Sequence, residues 1–224
     1  MMKTAIYTCI VGAYDELRQP LVLEDGFDFI CFVGPGERTT ARDGVWEIRE
    51  LPATQRSATL SARWAKTHPH ILLPDYDCSV WIDGNIMLLD GSLFHAARLK
   101  AASGVQYSGV PHYNRDCTYE EARKCFDMKY LDLVGLLRVW GFLALHALPR
   151  HAGLMESNLI FRRHTEAAVV AFDELWWERI LHLSRRDQLS LIPTLRKSGL
   201  AWDDRLLDGL NTRNHAGFRY LLHK

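Results

Sequence analysis

Short apolar runs bounded by loop-forming residues open the chain. They span residues 4–11, 27–33 and 45–51, with glycines between them. Runs of this length in this setting are typical of β-strands. A helical pattern at 53–67 then leads to a fourth apolar run, which ends at Asp83. Strand, loop, helix and strand in this order predict an α/β domain with a mainly parallel central sheet flanked by helices.

The rest of the chain continues this alternation without an internal repeat or a linker, which predicts one domain. We expect residues 1–90 to form its nucleotide- and metal-binding half and 91–198 its acceptor-side half. Residues 199–224 are expected to form a C-terminal segment that could fold back over the site. The elements predicted after Asn85 are a short strand, a helix at 91–101, a strand at 105–110, a helix at 118–129 opened by a Thr118-Tyr-Glu-Glu121 capping box, an apolar helix within 130–148, a strand at 158–162, and helices opened by Thr165 and Ser184.

The charge balance and the cysteines narrow the class of partner. Lys plus Arg and Asp plus Glu each number 27, so the formal net charge is zero and no net field favours nucleic acid. The five cysteines are scattered and include no Cys-x-x-Cys pair, which indicates a reducing compartment. We therefore expect a cytoplasmic protein that does not bind nucleic acid.

Membrane contact is a separate question, because one stretch of the chain is strongly apolar. The N-terminal run is too short and too interrupted for a signal peptide. The stretch 130–148 contains three charged or titratable residues and makes a poor membrane span. A buried or half-buried helix is the first interpretation. The alternative is a helix lying on the inner face of the membrane, with Trp140 and Phe142 in the interface.

The end of the fourth strand contains a candidate metal site. Asp83-Gly84-Asn85 places a carboxylate and an amide oxygen two residues apart. Oxygen ligands suit Mn²⁺ or Mg²⁺, and such a cation could hold the diphosphate of a nucleotide sugar. The alternative is an ordinary strand-to-strand turn. His215 and His223, which the C-terminal segment could bring to the site, are candidates for a third metal ligand.

Two further features belong to the same edge of the predicted sheet. Ligands of open sheets bind at the carboxyl ends of the strands, where the loop containing Gly12, Tyr14 and Asp15 also falls. This loop is expected to line a nucleotide pocket. Arg63 and Lys66 share one face of the predicted helix with a third cation, Arg56, and could neutralise phosphate charge. The alternative is a solvated basic face.

Candidates for acceptor binding and catalysis lie in the second half. His112 and Arg115 are on a loop that follows a strand, where substrate contacts concentrate, although a plain surface loop is equally compatible. Glu156 precedes a strand and could serve as a general base, or be an exposed turn residue. Asp187 and Gln188 open a helix. Asp187 could simply close a capping box with Ser184.

These residues belong to an ordered series of longer motifs. The series is Gly-Ala-Tyr-Asp15, Asp28-Phe-Ile-Cys-Phe32, Ala62-Arg-Trp-Ala-Lys66, Pro74-Asp-Tyr-Asp77, Trp81-Ile-Asp-Gly-Asn85, His112-x-x-Arg-Asp-Cys-x-Tyr-x-Glu-Ala122, Gly153-Leu-x-Glu156, Trp176-Trp-Glu178 and Ser184-x-Arg-Asp-Gln-Leu-Ser190. Over roughly residues 4–190 it resembles the glycosyltransferase-like family that includes plant mucilage-polysaccharide and ceramidase-linked proteins together with many bacterial members.

The resemblance implies a GT-A-type nucleotide-diphospho-sugar transferase, with a UDP-sugar donor and a glycan or lipid-linked acceptor in bacterial surface polysaccharide synthesis. Asp83-Gly84-Asn85 takes the place of the usual Asp-x-Asp metal motif. Asn85 is a departure, because a neutral ligand replaces a second carboxylate and weakens the case for a metal. Asp187-Gln188 looks like the pair beside the donor sugar in retaining, glycogenin-like enzymes. An inverting route would need a base, either Glu156 or Asp187.

Two rival functions come from other classes. A catalytically silent protein would bind a sugar nucleotide or a glycan and never consume the donor. A metal-dependent lipid amidase, suggested by the ceramidase-linked relatives, would need a metal-bound water held by several histidines. No pair with the spacing His-x-x-x-His occurs in the chain. A glycosyltransferase is therefore the leading hypothesis.

Overall fold

The structure, a computed structural model, describes residues 2–12 and 14–221. Its main sheet has eight strands in the order β3-β4-β2-β1-β5-β8-β7-β9, and β6 and β10 form a separate antiparallel pair. The strands are β1 Thr4–Cys9, β2 Phe27–Val33, β3 Arg42–Asp43, β4 Trp46–Glu50, β5 Cys78–Ile82, β6 Ile86–Leu88, β7 Tyr107–Pro111, β8 Met155–Arg162, β9 Trp202–Asp203 and β10 Phe218–Tyr220. The helices are α1 Ala58–Thr67, α2 Pro69–Leu72, α3 Ser92–Ser103, α4 Thr118–Asp127, α5 Leu133–Leu145, α6 Ala167–His182 and α7 Gln188–Ser198.

Strand direction decides which loops meet. β4, β2, β1 and β5 are mutually parallel, whereas β8 is antiparallel to both β5 and β7. The carboxyl ends of β1, β5 and β7 therefore lie at one edge of the sheet, and the amino end of β8 joins them there. The predicted α/β class with a mainly parallel sheet flanked by helices is confirmed, and the chain forms one domain.

Two apolar cores cover the two faces of the sheet, because side chains alternate along each strand. Ala5, Tyr7 and Cys9 of β1 face one core, which α1, α2 and α4 to α7 complete. Ile6 faces the other, which contains residues of α3, β6 and β10. Helices on both faces explain why the central strands are buried along their whole length.

The predicted start of α1 and the predicted capping box at the start of α4 are wrong. α1 begins at Ala58 after an N-cap at Ser57, so Arg56 precedes the helix instead of sharing its basic face. The N-cap of α4 is Cys117, without a side-chain capping bond, so Thr118 and Glu121 form no capping box. Glu121 instead accepts a hydrogen bond from Arg115 at 2.6 Å. Glu121 therefore forms an ion pair with Arg115 instead of the predicted helix cap.

The start of α7 also differs from the simplest prediction. Asp187 is itself the N-cap, and its Oδ1 accepts from the backbone N–H of Gln188 at 3.2 Å. Ser184 Oγ accepts from Arg186 N, so it does not form a capping box with Asp187. The other oxygen of Asp187 is thereby left to long-range partners described below.

The C-terminal segment is part of the fold as far as Leu221. β9 lies beside β7, and β10 pairs with β6 through Tyr220 opposite Ile86. His223 lies outside the described residues. Among the described residues, no helix is both long and apolar enough to cross a bilayer. The apolar helix α5 is half-buried, with Leu136, Val139 and Leu143 inside and Leu133, Val134, Leu137 and Leu145 exposed.

Candidate functional site

A cavity of about 400 Å³ opens where β1 and β5 end. The residues of its wall come from the ends of both strands, from the loop after β1, from α1 and from the chain just before α7. They are Cys9, Ile10, Val11, Tyr14, Asp15, Ala58, Thr59, Ala62, Arg63, Trp81, Asp83, Gly84, Tyr130, Arg185 and Arg186. We call this the rim cavity. It brings together Tyr14, Asp15, Arg63 and Asp83, as the sequence predicted for a donor pocket.

Lys66 stands behind this wall and joins two carboxylates that are far apart in sequence. Its side chain has no solvent exposure. Its Nζ lies 3.2 Å from Asp83 Oδ1 and 3.0 Å from Asp187 Oδ2, and it donates to the carbonyl oxygen of Ser157 at 2.8 Å. Burial and the nearby Arg63 lower the pKa of Lys66, while the two carboxylates raise it. Lys66 therefore does not belong to a solvated basic face, which was the alternative interpretation of its helix.

Asp187 accepts three hydrogen bonds, forms an ion pair with Arg63, and cannot serve readily as a base. Oδ2 contacts Lys66 Nζ, lies 3.2 Å from Arg63 Nε, and accepts from Ser157 Oγ at 2.8 Å, while Oδ1 caps α7 through Gln188 N. Burial alone would raise its pKa, but attraction to Arg63 and Lys66 and these hydrogen bonds outweigh burial, so the pKa of Asp187 lies well below its usual range. It is a fixed anion.

Asp83 is held by one oxygen and presents the other to the cavity. Trp81 Nε1 donates to Oδ1 at 2.6 Å, and Lys66 Nζ is bound to the same atom. No described contact uses Oδ2. About a quarter of the Asp83 side chain is exposed, against 4 % for Asp187. We define the Lys66 cluster as Arg63, Lys66, Asp83, Ser157 and Asp187.

A further set of buried polar groups holds the backbone of Lys66. Its carbonyl oxygen accepts from Tyr7 Oη at 3.0 Å and from Arg162 Nη1 at 2.8 Å. Arg162 in turn makes a fully buried ion pair with Asp173 of α6, at 2.8 Å. Strands β1 and β8 and helix α6 thus fix the position of one lysine.

The loop after β1 approaches the end of β5 closely. A Cβ atom at Gly84 would lie 3.2 Å from Ile10 Cδ1 and 3.6 Å from Cβ of Asp15, so a larger residue there would crowd the loop. Gly12 has φ +70°, a left-handed conformation that favours glycine. Its N–H donates to the Glu37 carboxylate at 3.1 Å. The predicted convergence of Gly12 and Asp83 on one edge is realised.

The remaining predicted metal ligands are placed differently. Asn85 is buried, and its Nδ2 donates to the carbonyl oxygen of Leu221 at 2.8 Å. Gly84 lines the rim cavity, whereas Asn85 does not. His215 lines another concavity with Ser92 and His95 of α3, and its Nδ1 accepts from Gly217 N. The segment of His215 is held at the end of β6, where Leu89 N donates to the carbonyl oxygen of Gly217 at 2.9 Å. The structure therefore gives no support to His215 as a third ligand.

Glu156 belongs to a second group of polar residues at the same edge. Ser157 faces Lys66, whereas its neighbours Glu156 and Asn158 contact the C-terminal segment. Glu156 Oε1 lies 3.4 Å from Arg213 Nε, Asn158 Nδ2 donates to Glu156 Oε2 at 2.6 Å, and the same Nδ2 lies 3.0 Å from Thr212 Oγ1. Burial raises the pKa of Glu156, and Arg213 only partly offsets it. We call these four residues, Glu156, Asn158, Thr212 and Arg213, the Glu156 cluster.

The predicted acceptor residues form an adjoining loop. His112 Nδ1 accepts from the backbone N–H groups of Asn114 and Arg115 at 3.2 and 3.1 Å. Burial lowers the pKa of His112 to about 4, so the imidazole is neutral at pH 7. Tyr113 N lies 3.5 Å from Glu156 Oε1, which joins this loop to the Glu156 cluster. His112 and Glu156 thus share one side of the edge, and Gln188 lies on the other at the start of α7.

Some site residues were not predicted. Ser157 directly follows Glu156, which was singled out, and the alternation of side chains along a strand could have identified it on the opposite side. Arg185 and Arg186 precede Asp187 directly, and this basic pair was a usable signal. No sequence signal indicated Arg213, because its partner Glu156 is 57 residues away in sequence.

A known protein family matches the chain over most of its length. The family model described as the TOD1/MUCI70, glycosyltransferase-like domain matches residues 1–205. The match includes the rim cavity, the Lys66 cluster and Glu156, while Thr212 and Arg213 lie beyond it. No curated protein matches the chain. Because the match covers most of the sequence, the chain belongs to the TOD1/MUCI70 glycosyltransferase-like domain family.

Proposed function

We propose that the protein transfers a sugar from a nucleoside-diphosphate donor, a UDP-sugar, to a hydroxyl of a glycan or lipid-linked acceptor. The observation that supports this most directly is the buried Lys66, which ties Asp83 and Asp187 together behind a cavity at the carboxyl ends of parallel strands. This is the place where open α/β sheets bind nucleotides. The predicted role in bacterial surface polysaccharide synthesis is part of the proposal.

The donor diphosphate lies against the arginines of the rim cavity. Arg63, Arg185 and Arg186 line the wall, and guanidinium groups bind phosphate oxygens through two parallel hydrogen bonds. Negative charge grows on the departing diphosphate during transfer, so fixed cations lower the barrier. Lys66 and Asp187 act behind the wall, because their ion pairs hold Arg63 and Asp83 in place. Gly12, Tyr14 and Asp15 line the nucleotide side.

The acceptor hydroxyl is assigned to the side of the edge where Glu156, His112 and Arg115 lie. A general base needs a pKa near the working pH, and burial raises that of Glu156. The pKa of Asp187 is shifted in the opposite direction, and its carboxylate accepts three hydrogen bonds and pairs with Arg63. Glu156 is therefore the base in an inverting transfer. If the product instead retains the configuration of the donor sugar, Glu156 only binds the acceptor. Asp187 and Gln188 then act at the donor sugar.

The site fits a divalent cation only together with the donor. Asp83 offers one carboxylate oxygen, Asn85 directs its amide nitrogen to Leu221, and Lys66 already places a positive charge 3.2 Å from Oδ1. Mg²⁺ and Mn²⁺ are commonly held by one carboxylate plus substrate phosphates and water. Such a cation, when bound, supplies charge neutralisation at the diphosphate. Calorimetry should detect Mn²⁺ binding with UDP present and none without it.

Trp140 and Phe142, the residues predicted for a membrane interface, pack against the core instead. The exposed side of α5 supports a lipid surface as the location of the acceptor. Leu133, Leu137 and Leu145 recur every fourth or eighth residue and are more than half exposed, with Arg138 beside them. Tyr130, just before the helix, lines the rim cavity. A cation next to an apolar stripe matches an anionic bilayer. Vesicles containing phosphatidylglycerol should retain the protein, and Leu137→Glu should abolish retention, whereas Leu181→Glu on α6 should not.

Turnover of a nucleotide-sugar panel with Mn²⁺ tests the central proposal. Wild-type protein should consume at least one donor, and Asp83→Asn should lower turnover by about a hundredfold, as loss of one charge-stabilising group does. Asp90→Asn is the matched control, because the Asp90 carboxylate accepts a hydrogen bond from the backbone N–H of Ser92 outside the cavity. Equal loss in both variants would reject the site.

The same assay separates the rival functions. A silent binding protein would show a nucleotide-dependent rise in melting temperature without donor consumption. A lipid amidase would release fatty acid from a ceramide and leave every donor intact. In the described part of the chain the cavity wall contains no histidine, so several histidines cannot hold a metal-bound water there.

A further inference from the structure

A group of metal-binding side chains lies apart from the rim cavity, at the start of α4. Cys117 is the N-cap residue, Glu120 lies in the first turn, and His151 belongs to the loop before β8. One ligand atom from each, the sulfur, a carboxylate oxygen and a ring nitrogen, lies within 4.8 Å of the other two. A hydrogen bond from Gly153 N to the carbonyl oxygen of Asp116, at 3.0 Å, joins the two loops.

The environment of Cys117 differs from that of the other cysteines. Cys9 and Cys125 belong to one apolar core and Cys31 and Cys78 to the other. Cys117 is equally buried but belongs to neither core, and its sulfur makes no hydrogen bond to any residue that the structure describes. The thiolate is the form of cysteine that binds metals. Its polar neighbours are the other two candidate ligands.

His151 has the geometry of a metal ligand supported by a carboxylate. Its Nδ1 lies 2.7 Å from Asp116 Oδ1, and its Nε2 lies 3.7 Å from Glu120 Oε1. The second distance is too long for a hydrogen bond. It is close to the separation of two ligands on one tetrahedral ion with bonds of about 2.0–2.1 Å. A histidine bound to metal usually gives its other ring nitrogen to a carboxylate, as His151 does to Asp116.

We propose that Cys117, Glu120 and His151 bind one Zn²⁺ ion, with water in the fourth position. A sulfur, nitrogen and oxygen set suits zinc and not Mg²⁺, which prefers oxygen alone. The ion would pin the loop of His112 and Arg115 to the loop that enters β8 at Glu156. This site stands whether or not the proposed transferase activity is correct.

Cobalt substitution tests this site directly. Protein freed of metal by a chelator is titrated with Co²⁺, and one equivalent should produce the sulfur-to-cobalt charge-transfer absorption of a thiolate ligand. Cys117→Ser should remove this absorption. Asp116→Asn changes only an exposed supporting group, so it should leave the protein folded and weaken Co²⁺ binding about 10- to 100-fold.

Matched variants decide between this site and unspecific binding. Cys125→Ser alters another buried thiol of α4, and His182→Ala removes an exposed histidine that also pairs with a glutamate, Glu178, at 3.2 Å. Neither should change the titration, and Asp83→Ala should not change it either. Absence of the absorption in wild-type protein, or equal loss in Cys125→Ser and Cys117→Ser, would overturn the proposal. Melting curves of the metal-free variants show that each one is folded.

Discussion

Asp187 and Glu156 are both buried carboxylates at the same edge of the sheet, yet their pKa values shift in opposite directions. Asp187 has Lys66 and Arg63 at 3.0 and 3.2 Å, and its pKa lies well below the usual range. Glu156 has one cation, Arg213, at 3.4 Å, and the arginine side chain is one-third exposed. Burial therefore dominates, and the pKa of Glu156 is raised.

The contrast shows that burial alone does not decide the charge of a carboxylate. The number and the desolvation of the surrounding cations decide it. Two titratable groups whose environments separate their pKa values suit two different tasks. A permanently ionised Asp187 can orient cations, and a readily protonated Glu156 can accept and release a proton. Three experiments test this division, from the largest expected effect to the smallest.

Replacing Lys66 should have the largest effect on stability. Lys66→Met leaves Asp187 and part of Asp83 without their shared buried cation. Breaking a buried ion pair on one side typically costs about 3–5 kcal/mol. We expect the free energy of unfolding, measured by urea denaturation, to fall by an amount of this order. Donor turnover should be lost as well, because Arg63 and Asp83 lose their fixed positions.

Lys100→Met is the control for this change. Lys100 also pairs with an aspartate, Asp203, at 2.6 Å, but both side chains are partly exposed. Exposed or half-exposed pairs contribute about 1 kcal/mol or less. Similar losses in the two variants would show that the Lys66 cluster is an ordinary ion pair. The contrast with Glu156 would then have no structural basis.

The two clusters also differ in how far the sequence could predict them. Arg63 and Lys66 share a helical face, and helical spacing is a local property, so their common direction was predictable. Asp187 is 121 residues from Lys66 along the chain, and only the order of the family motifs suggested that both belong to one site. Arg213 reaches Glu156 from a segment beyond those motifs. No local pattern could therefore reveal the partner that modulates the proposed base.

The fold was more predictable than the site for the same reason. The predicted strand at 27–33 agrees with β2, because apolar alternation and flanking glycines act over a few residues. The capping patterns failed at Thr118 and Ser184, where Glu121 and Asp187 have charged partners instead. A charged partner at close range outweighs a capping bond worth about 1 kcal/mol. His215 was misplaced because the sequence does not show that β10 pairs with β6.

Removing the charge of each carboxylate should give opposite pH profiles. The folded pKa of Asp187 is below its ordinary 3.8, so its contribution to stability is present above that pH and is lost as pH falls. The folded pKa of Glu156 is above its ordinary 4.5, so its contribution is present below that pH and is lost as pH rises. Asp187→Asn should therefore destabilise most at neutral pH, and Glu156→Gln should become relatively more stable as pH rises.

Urea unfolding of both variants from about pH 3 to pH 8 measures these slopes. At pH 7 we expect Glu156→Gln to change the free energy of unfolding by no more than about 1 kcal/mol, because the hydrogen bond lost at one oxygen is offset by removal of a buried charge. Parallel slopes for the two variants would contradict the assignment of different roles. Asp77→Asn provides a control, because the Asp77 carboxylate accepts an exposed backbone hydrogen bond from Lys3.

The smallest effect concerns the two histidines that flank the Glu156 side of the edge. Burial lowers the pKa of His112 to about 4, whereas the hydrogen bond that His151 donates to Asp116 raises the pKa of the exposed His151. In metal-free protein, imidazole NMR signals of His151 should titrate at a higher pH than those of an ordinary histidine, which changes charge between about pH 5 and pH 8. Those of His112 should not move, because its Nδ1 accepts two backbone N–H groups and a proton there would break both bonds. Titration of His112 in that range would mean that its loop is open to water, and the buried acceptor side proposed around Glu156 would have to be abandoned.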